Sequence, residues 1–221
     1  MFVVSPHFDD AVLSCGALLA QHPGSQVLTV CAGLPEEDAV APEWDQRCGF
    51  SYARQAMLAR REENRQALHK VDAIDLHLNI LDSQYGGHAQ CMEQGLLQSI
   101  RQWHPDTVLF PLGLFHEDHL RVNEAVLRVR AKYERTSQWI AYEDVPYRRI
   151  PGLVQQRLAW LAQQRIWATP WLTVQANTQQ KRLAVAAYTS QLGPMGLTAG
   201  QGDDALPEQY WKLGDQRGDH A

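Results

Sequence analysis

Along residues 2–142 of this chain, short apolar runs of β type are each followed by a segment of helical character. Phe2–Ser5, Gln26–Cys31, Ile74–Ile80, Thr107–Leu112 and Trp139–Tyr142 read as strands, the last of them leading into the weaker pattern after residue 150. Ala11–Gln21, Tyr52–His69, Cys91–Trp103 and His119–Lys132 read as the helices between them. Thr107–Leu112 is apolar after its threonine and Ala11–Gln21 nearly all round, as elements covered on both sides must be. This βαβ rhythm with crossover helices predicts an α/β fold: a Rossmann-like three-layer α/β/α sandwich around a mostly parallel sheet.

After residue 150 the pattern weakens. Leu153–Arg165 and Gln179–Gln191 read as helices and Trp171–Gln175 as a strand, while the tail at 200–221, rich in Gly and Asp, reads as irregular. No repeat or linker divides the chain. Its 221 residues suffice for one full hydrophobic core, so a single domain over 1–221 is expected. Loops at 33–50, 81–91 and 143–152 are long enough to shape a pocket.

Composition excludes several classes of partner. The net charge of −5 provides no field to hold nucleic acid or an anionic membrane. No run approaches the roughly 20 apolar residues needed to span a bilayer, and Met1–Pro6 lacks the basic start and apolar stretch of a signal peptide. None of the four cysteines forms a C-x-x-C pair, and Cys15 and Cys31 sit among apolar residues, as buried reduced thiols do. The expected location is therefore cytoplasmic.

Two clusters carry chemistry. Ser5-Pro6-His7-Phe8-Asp9-Asp10 falls where the first strand gives way to the first helix. The carboxyl end of a strand is where ligands bind in open α/β sheets. His7 and Asp10 supply a nitrogen and an oxygen suited to zinc, and Asp9 stands between them as a proton acceptor. The plainer alternative is that one aspartate only caps the helix. His116-Glu117-Asp118-His119 follows the strand Thr107–Leu112 through a Gly-containing loop. Two histidines three apart at a helix start can face one point. One can bind a metal while the other serves proton transfer or an oxyanion. The plainer alternative here, a solvated helix start, loses weight because both clusters hold matching topological positions.

Together these segments resemble the H-x-D-D and H-x-x-H signatures of the LmbE-like (PIG-L) deacetylases. Two further echoes, Arg61-Glu62-Glu63 with Ala67 and Lys181 with Tyr188-Thr189-Ser190-Gln191, extend the resemblance over roughly residues 1–191. The resemblance implies a zinc-dependent N-deacetylase that hydrolyses the acetamide of an amino sugar or glycoconjugate with a metal-activated water. It implies His7, Asp10 and His119 as metal ligands and Asp9 as the general base. His116 would stabilise the oxyanion and protonate the leaving amine, and Asp118 would orient His116. Phe8 and Ala11 depart from the family's proline and glutamate and leave substrate choice open. Zinc suits the mixed His and Asp ligands, and Fe2+ or another divalent ion suits them too.

Other residues divide between function and structure. Arg61 and Asp82 are candidate substrate contacts, and Trp44 and Tyr85 candidate stacking platforms. Arg60 and Glu63 read as a solvated face. His104-Pro105-Asp106 precedes a strand and reads as a turn. His22, His69, His77, His88 and His220 show no partner pattern. Three competing functions are an amidase cleaving a larger acyl or thiol-conjugated group, an aspartyl phosphotransferase on Asp9-Asp10, and a sugar-binding module without catalysis. The phosphotransferase has no use for His7 or for the second cluster. The binding module leaves the full set of chemical positions unexplained. Carrier and oligomeric state are open.

Overall fold

The computed structural model describes residues 1–87, 91–175 and 178–215, so His88 and His220 lie outside the described residues. The strands are β1 (Phe2–Ser5), β2 (Gln26–Thr29), β3 (Ile74–His77), β4 (Thr107–Pro111), β5 (Gln138–Tyr142), β6 (Ile166–Val174) and β7 (Glu208–Asp215). The helices are α1 (Asp10–Gln21), α2 (Glu43–Arg47), α3 (Ala53–Lys70), α4 (Met92–Trp103), α5 (Glu117–Lys132), α6 (Leu153–Gln163), α7 (Gln179–Val185) and α8 (Thr189–Leu192). The strands form one sheet in the order β3-β2-β1-β4-β5-β7-β6. The pairs among β1 to β5 are parallel, and β7 is antiparallel to both β5 and β6. The α/β fold and mostly parallel sheet expected from the sequence are what the chain forms.

Successive strand residues point to opposite faces, and both faces are covered. Phe2, Val4, Val108 and Phe110 join a core with α4, α5 and α6. Val3, Val27, Leu109 and Ile140 join a second core with α1, α3 and α7. Burial on both sides explains why these strands are apolar throughout rather than alternating.

The largest departure from expectation lies in the 200–221 tail, expected to be irregular. Residues 208–215 form β7, which sits inside the sheet with Ile140 opposite Lys212 and Trp167 opposite Gly214. Tyr210 enters one core and Leu213 the other. Turn-forming Gly and Asp residues on either side mask this short apolar stretch in the sequence. β6 begins earlier than Trp171, at Ile166, and tolerates Pro170 because it is an edge strand. The helix expected over Gln179–Gln191 is broken into α7 and α8.

The topology fixes where a site can form. β1 is flanked by β2 on one side and β4 on the other. The connections after β1 and β4 therefore leave in opposite directions, which opens a crevice at the carboxyl ends of those two strands.

Candidate active site

The first wall of the crevice is the turn from β1 to α1. Ser5 ties it by donating from Oγ to the His7 carbonyl (2.6 Å) and accepting the Ala11 N–H (3.0 Å). Asp9 occupies the N-cap position of α1, yet its side chain makes no capping hydrogen bond. The carboxylate is thus left to the crevice, against the plainer capping alternative. Asp10 Oδ2 accepts the His7 N–H (2.9 Å). The Phe8 side chain packs with Ala32 and Met57, and the Phe8 carbonyl lies 2.9 Å from the Tyr188 hydroxyl.

The second wall is the loop from β4 to α5. Gly113 has φ +82°, and a Cβ there would lie 2.8 Å from Asn123 Cβ, so only glycine fits. Phe115 is held at φ 58°, a strained conformation for an aromatic residue, immediately before His116. His116 caps α5: its Nδ1 accepts the Asp118 N–H at 3.2 Å. With Nδ1 an acceptor, the proton of a neutral His116 ring sits on Nε2.

The six residues singled out in the two clusters converge. Asp10 Oδ2 lies 3.3 Å from His7 Nδ1 and 3.2 Å from His119 Nε2. Ring nitrogens of His7, His116 and His119 lie within 4.8 Å of one another. Zinc bonds of about 2.1 Å at tetrahedral angles put neighbouring donor atoms about 3.4 Å apart. Asp10 Oδ2 thus stands at a zinc-like spacing from one nitrogen of His7 and from one of His119. His119 Nδ1 faces Asp144 Oδ1 at 2.5 Å, leaving Nε2 toward Asp10. Asp144 is fully buried and also accepts the Gly113 and Leu114 N–H groups (3.0 and 3.2 Å). A carboxylate behind a ligating imidazole is the usual support of such a ligand.

Electrostatics separates the two adjacent aspartates. Burial and the neighbouring Asp10 push the Asp9 carboxyl up to about 6. Burial opposes ionisation of Asp10 as well, but the combined pull of His119 and His7 outweighs it and holds Asp10 well below the usual carboxylate range. Burial works against a proton on His119, yet Asp10 and Asp144 raise it to about 9. His7 is raised against its burial by Asp82, Asp10 and Asp118. His116 is lowered by burial and by His7 and His119.

Several expectations need correction. Asp118 does not orient His116 through its carboxylate, which stays 4.0 Å from His116 Nδ1. It turns to His7 Nε2 (3.1 Å) and accepts the Ser83 N–H (3.1 Å) and hydroxyl (2.8 Å). The reason is the cap, in which the backbone of Asp118 already fills His116 Nδ1. Arg61 does not reach the crevice but donates to the Ala32 carbonyl (3.1 Å). Arg60 lines the crevice instead, on the buried face of α3 with Ala56, Met57 and Asn64. Its guanidinium pairs with the buried Asp45 and lies 3.3 Å from the Tyr85 hydroxyl. Glu63 is not a solvated charge: it accepts from Ser190 N, Ser190 Oγ and Thr189 Oγ1 at the start of α8, each at 2.8 Å.

Asp82, a candidate substrate contact, has two roles. It accepts the Gln84 N–H (2.9 Å) as a turn residue and also lines the crevice, 3.5 Å from His7 Nε2. Trp44 lines the crevice with its indole N–H on Gln191 Oε1 (3.2 Å), whereas the Tyr85 hydroxyl is committed to Asp45 (2.6 Å). His104 closes α4 in a left-handed conformation, as a turn. His77 has a partner after all, Asp75 at 2.9 Å. The crevice widens into a cleft of about 610 Å³, in the range that holds small organic ligands. Sequence reasoning missed Asp144 and Asp45. Asp144 had a readable signal, since it follows β5 at the same end of the sheet as the other acidic residues.

The chain resembles known proteins over most of its length. The family model described as PIG-L: GlcNAc-PI de-N-acetylase matches residues 2–130. No curated protein matches the chain. A solved deacetylase of the teicoplanin biosynthesis pathway is 22% identical with a TM-score of 0.78, covering 100% of this chain and 99% of that one. The N,N'-diacetylchitobiose deacetylase of Pyrococcus horikoshii is 14% identical with a TM-score of 0.56, covering 97% of this chain and 83% of that one. A 4-carboxy-2-hydroxymuconate hydratase of Pseudomonas putida is 17% identical with a TM-score of 0.66, covering 100% of this chain and 98% of that one. The fold is thus shared by proteins of different chemistry, and function has to be argued from the site.

Proposed function

The chain belongs to the PIG-L (GlcNAc-PI de-N-acetylase) family, and from that premise we propose that it is a zinc-dependent N-deacetylase of an acetylated amino sugar or sugar conjugate. The observation that carries this is the position of Asp10 Oδ2, 3.3 Å from one imidazole nitrogen and 3.2 Å from another. His7, Asp10 and His119 would hold the cation. When bound, it supplies Lewis-acid polarisation of the amide carbonyl and of the attacking water.

The chain's own residues supply the proton traffic. Asp9, buried but facing the cleft, accepts a proton from the water that attacks the amide carbon. Its raised carboxyl keeps it basic enough to do so near neutral pH. His116, neutral and with its hydrogen on Nε2, donates to the oxygen that becomes negative as the carbonyl double bond is lost. Collapse breaks the carbon–nitrogen bond as the amine takes the proton that Asp9 received from the water, and acetate leaves with Asp9 again ionised. Asp118 acts through His7, and Asp144 through His119, by holding each ring in place.

A cleft of about 610 Å³ has room for a sugar with part of its carrier. Trp44 offers an aromatic face for a sugar ring, and Asp82 and Gln84 offer polar contacts for hydroxyls. The decisive experiment screens the zinc-loaded protein by mass spectrometry against acetamido sugars, their conjugates and matched substrates with larger acyl groups. Loss of acetyl from at least one acetamido sugar supports the reading. Turnover confined to the larger acyl groups would replace it with the amidase alternative.

A further inference from the structure

A second set of cation donors lies directly behind the first. The Sγ of Cys31, a carboxylate oxygen of Asp118 and a ring nitrogen of His7 lie within 4.8 Å of one another. Cys31 is 2% exposed and borders the cleft. Its backbone N–H donates to the Pro6 carbonyl (2.9 Å), which leaves the thiol as its free donor group among the described residues. Asp118 Oδ2 approaches the Nε2 edge of His7 at 3.1 Å, whereas Asp10 faces the Nδ1 edge at 3.3 Å. The two sets thus address opposite nitrogens of one imidazole. Asp82 Oδ2 stands on the same edge as Asp118, 3.5 Å from Nε2. Nitrogen, oxygen and thiolate donors together favour a soft or borderline cation over magnesium or calcium.

We propose that Cys31, Asp118 and His7 Nε2 form a second metal site, selective for thiophilic cations, that competes with the first for His7. This rests on His7 serving the first cation through Nδ1. A neutral imidazole has one lone pair, so a cation on Nε2 takes the ring from the first set. On entry the Cys31 S–H bond breaks, its proton passes to solvent, and a sulfur–metal bond forms. The consequence is inhibition by excess zinc or by cadmium, through displacement rather than through blockage of the cleft.

The test titrates metal-free Cys48→Ser/Cys91→Ser protein, which loses the two accessible thiols and keeps Cys31, with cadmium while recording near-ultraviolet absorption and proton release. The expected result is a thiolate-to-metal charge-transfer band with concurrent proton release in that background, and no band once Cys31→Ser or Cys31→Ala is added. In the same variants the concentration of excess zinc needed for inhibition should rise roughly 10- to 100-fold, since even residues behind a ligand change metal affinity by that much. The spectrum of the background that keeps Cys31 decides alone if neither further variant folds. Cadmium binding without a thiolate band overturns the second site and leaves the first intact. Failure to bind zinc or cadmium at all overturns both.

Discussion

Lys181→Met tests how the buried charge behind α1 is held. Lys181 is 1% exposed and its Nζ lies 2.7 Å from Oε1 of Glu208, which is fully buried. Glu208 has three other donors: Ala17 N (2.8 Å), Leu18 N (3.1 Å) and the Tyr210 hydroxyl (2.7 Å). Removing one partner of a buried pair typically costs about 3–5 kcal/mol, because the other charge is left uncompensated. The remaining donors put Glu208 at the low end, about 3 kcal/mol. Methionine keeps the length of the lysine stem, against which Gly16 packs closely, so the cavity contribution is small. In a domain of this size 1 kcal/mol moves Tm by about 2–4 °C, which gives a drop of roughly 6–12 °C. The assay is thermal unfolding by circular dichroism, with zinc affinity as a control that should not change. Pairing the change with Glu208→Gln should recover part of the loss, since the buried charge is then gone. A fall in Tm below about 3 °C, or a double variant no better than the single, would refute an electrostatic origin.

Asp9→Ala should abolish acetate release while zinc remains bound, and His119→Ala should lose zinc; elemental analysis beside the activity assay separates the two roles. Asp144→Asn should weaken zinc by roughly 10- to 100-fold, measured by competition with a chelating dye, because the partner of His119 Nδ1 is weakened. Glu63→Ala removes three contacts to the start of α8 and should cost about 1 kcal/mol, a Tm drop of roughly 2–4 °C in thermal unfolding.

What could be read beforehand follows physical lines. Strand-end clusters are visible because the chemistry and the period change together: an apolar run ends and His7 to Asp10, or His116 to His119, begins. Their convergence is a consequence of parallel topology, which the alternating pattern already implies. Asp144 obeys the same rule and its place after β5 marks it, but it stands without a histidine in its own segment, so that signal is weaker than at the two clusters. Arg60 and Arg61 differ by one helical step of about 100°, and only the packing of α3 decides which faces the cleft. The contacts of Glu63 and Asp118 escape the sequence for a related reason. Their partners lie far away in sequence, at Ser190 for one and at His7 and Ser83 for the other, and no periodicity encodes a long-range acceptor. β7 was hidden by its flanks, since a short strand between turn-formers looks like more turn.

The place of β7 in the sheet bears on how the chain is made. Synthesis delivers β1 to β5, with all the proposed catalytic residues, well before residues 208–215. Until then β5 presents an open edge where Ile140 will meet Lys212, and unpaired edges recruit other chains. Domains emerge from the ribosome in that order and are most aggregation-prone while such edges are bare. A product truncated before residue 208 would hold the whole reactive centre and still be a substrate for chaperones and proteases rather than an enzyme.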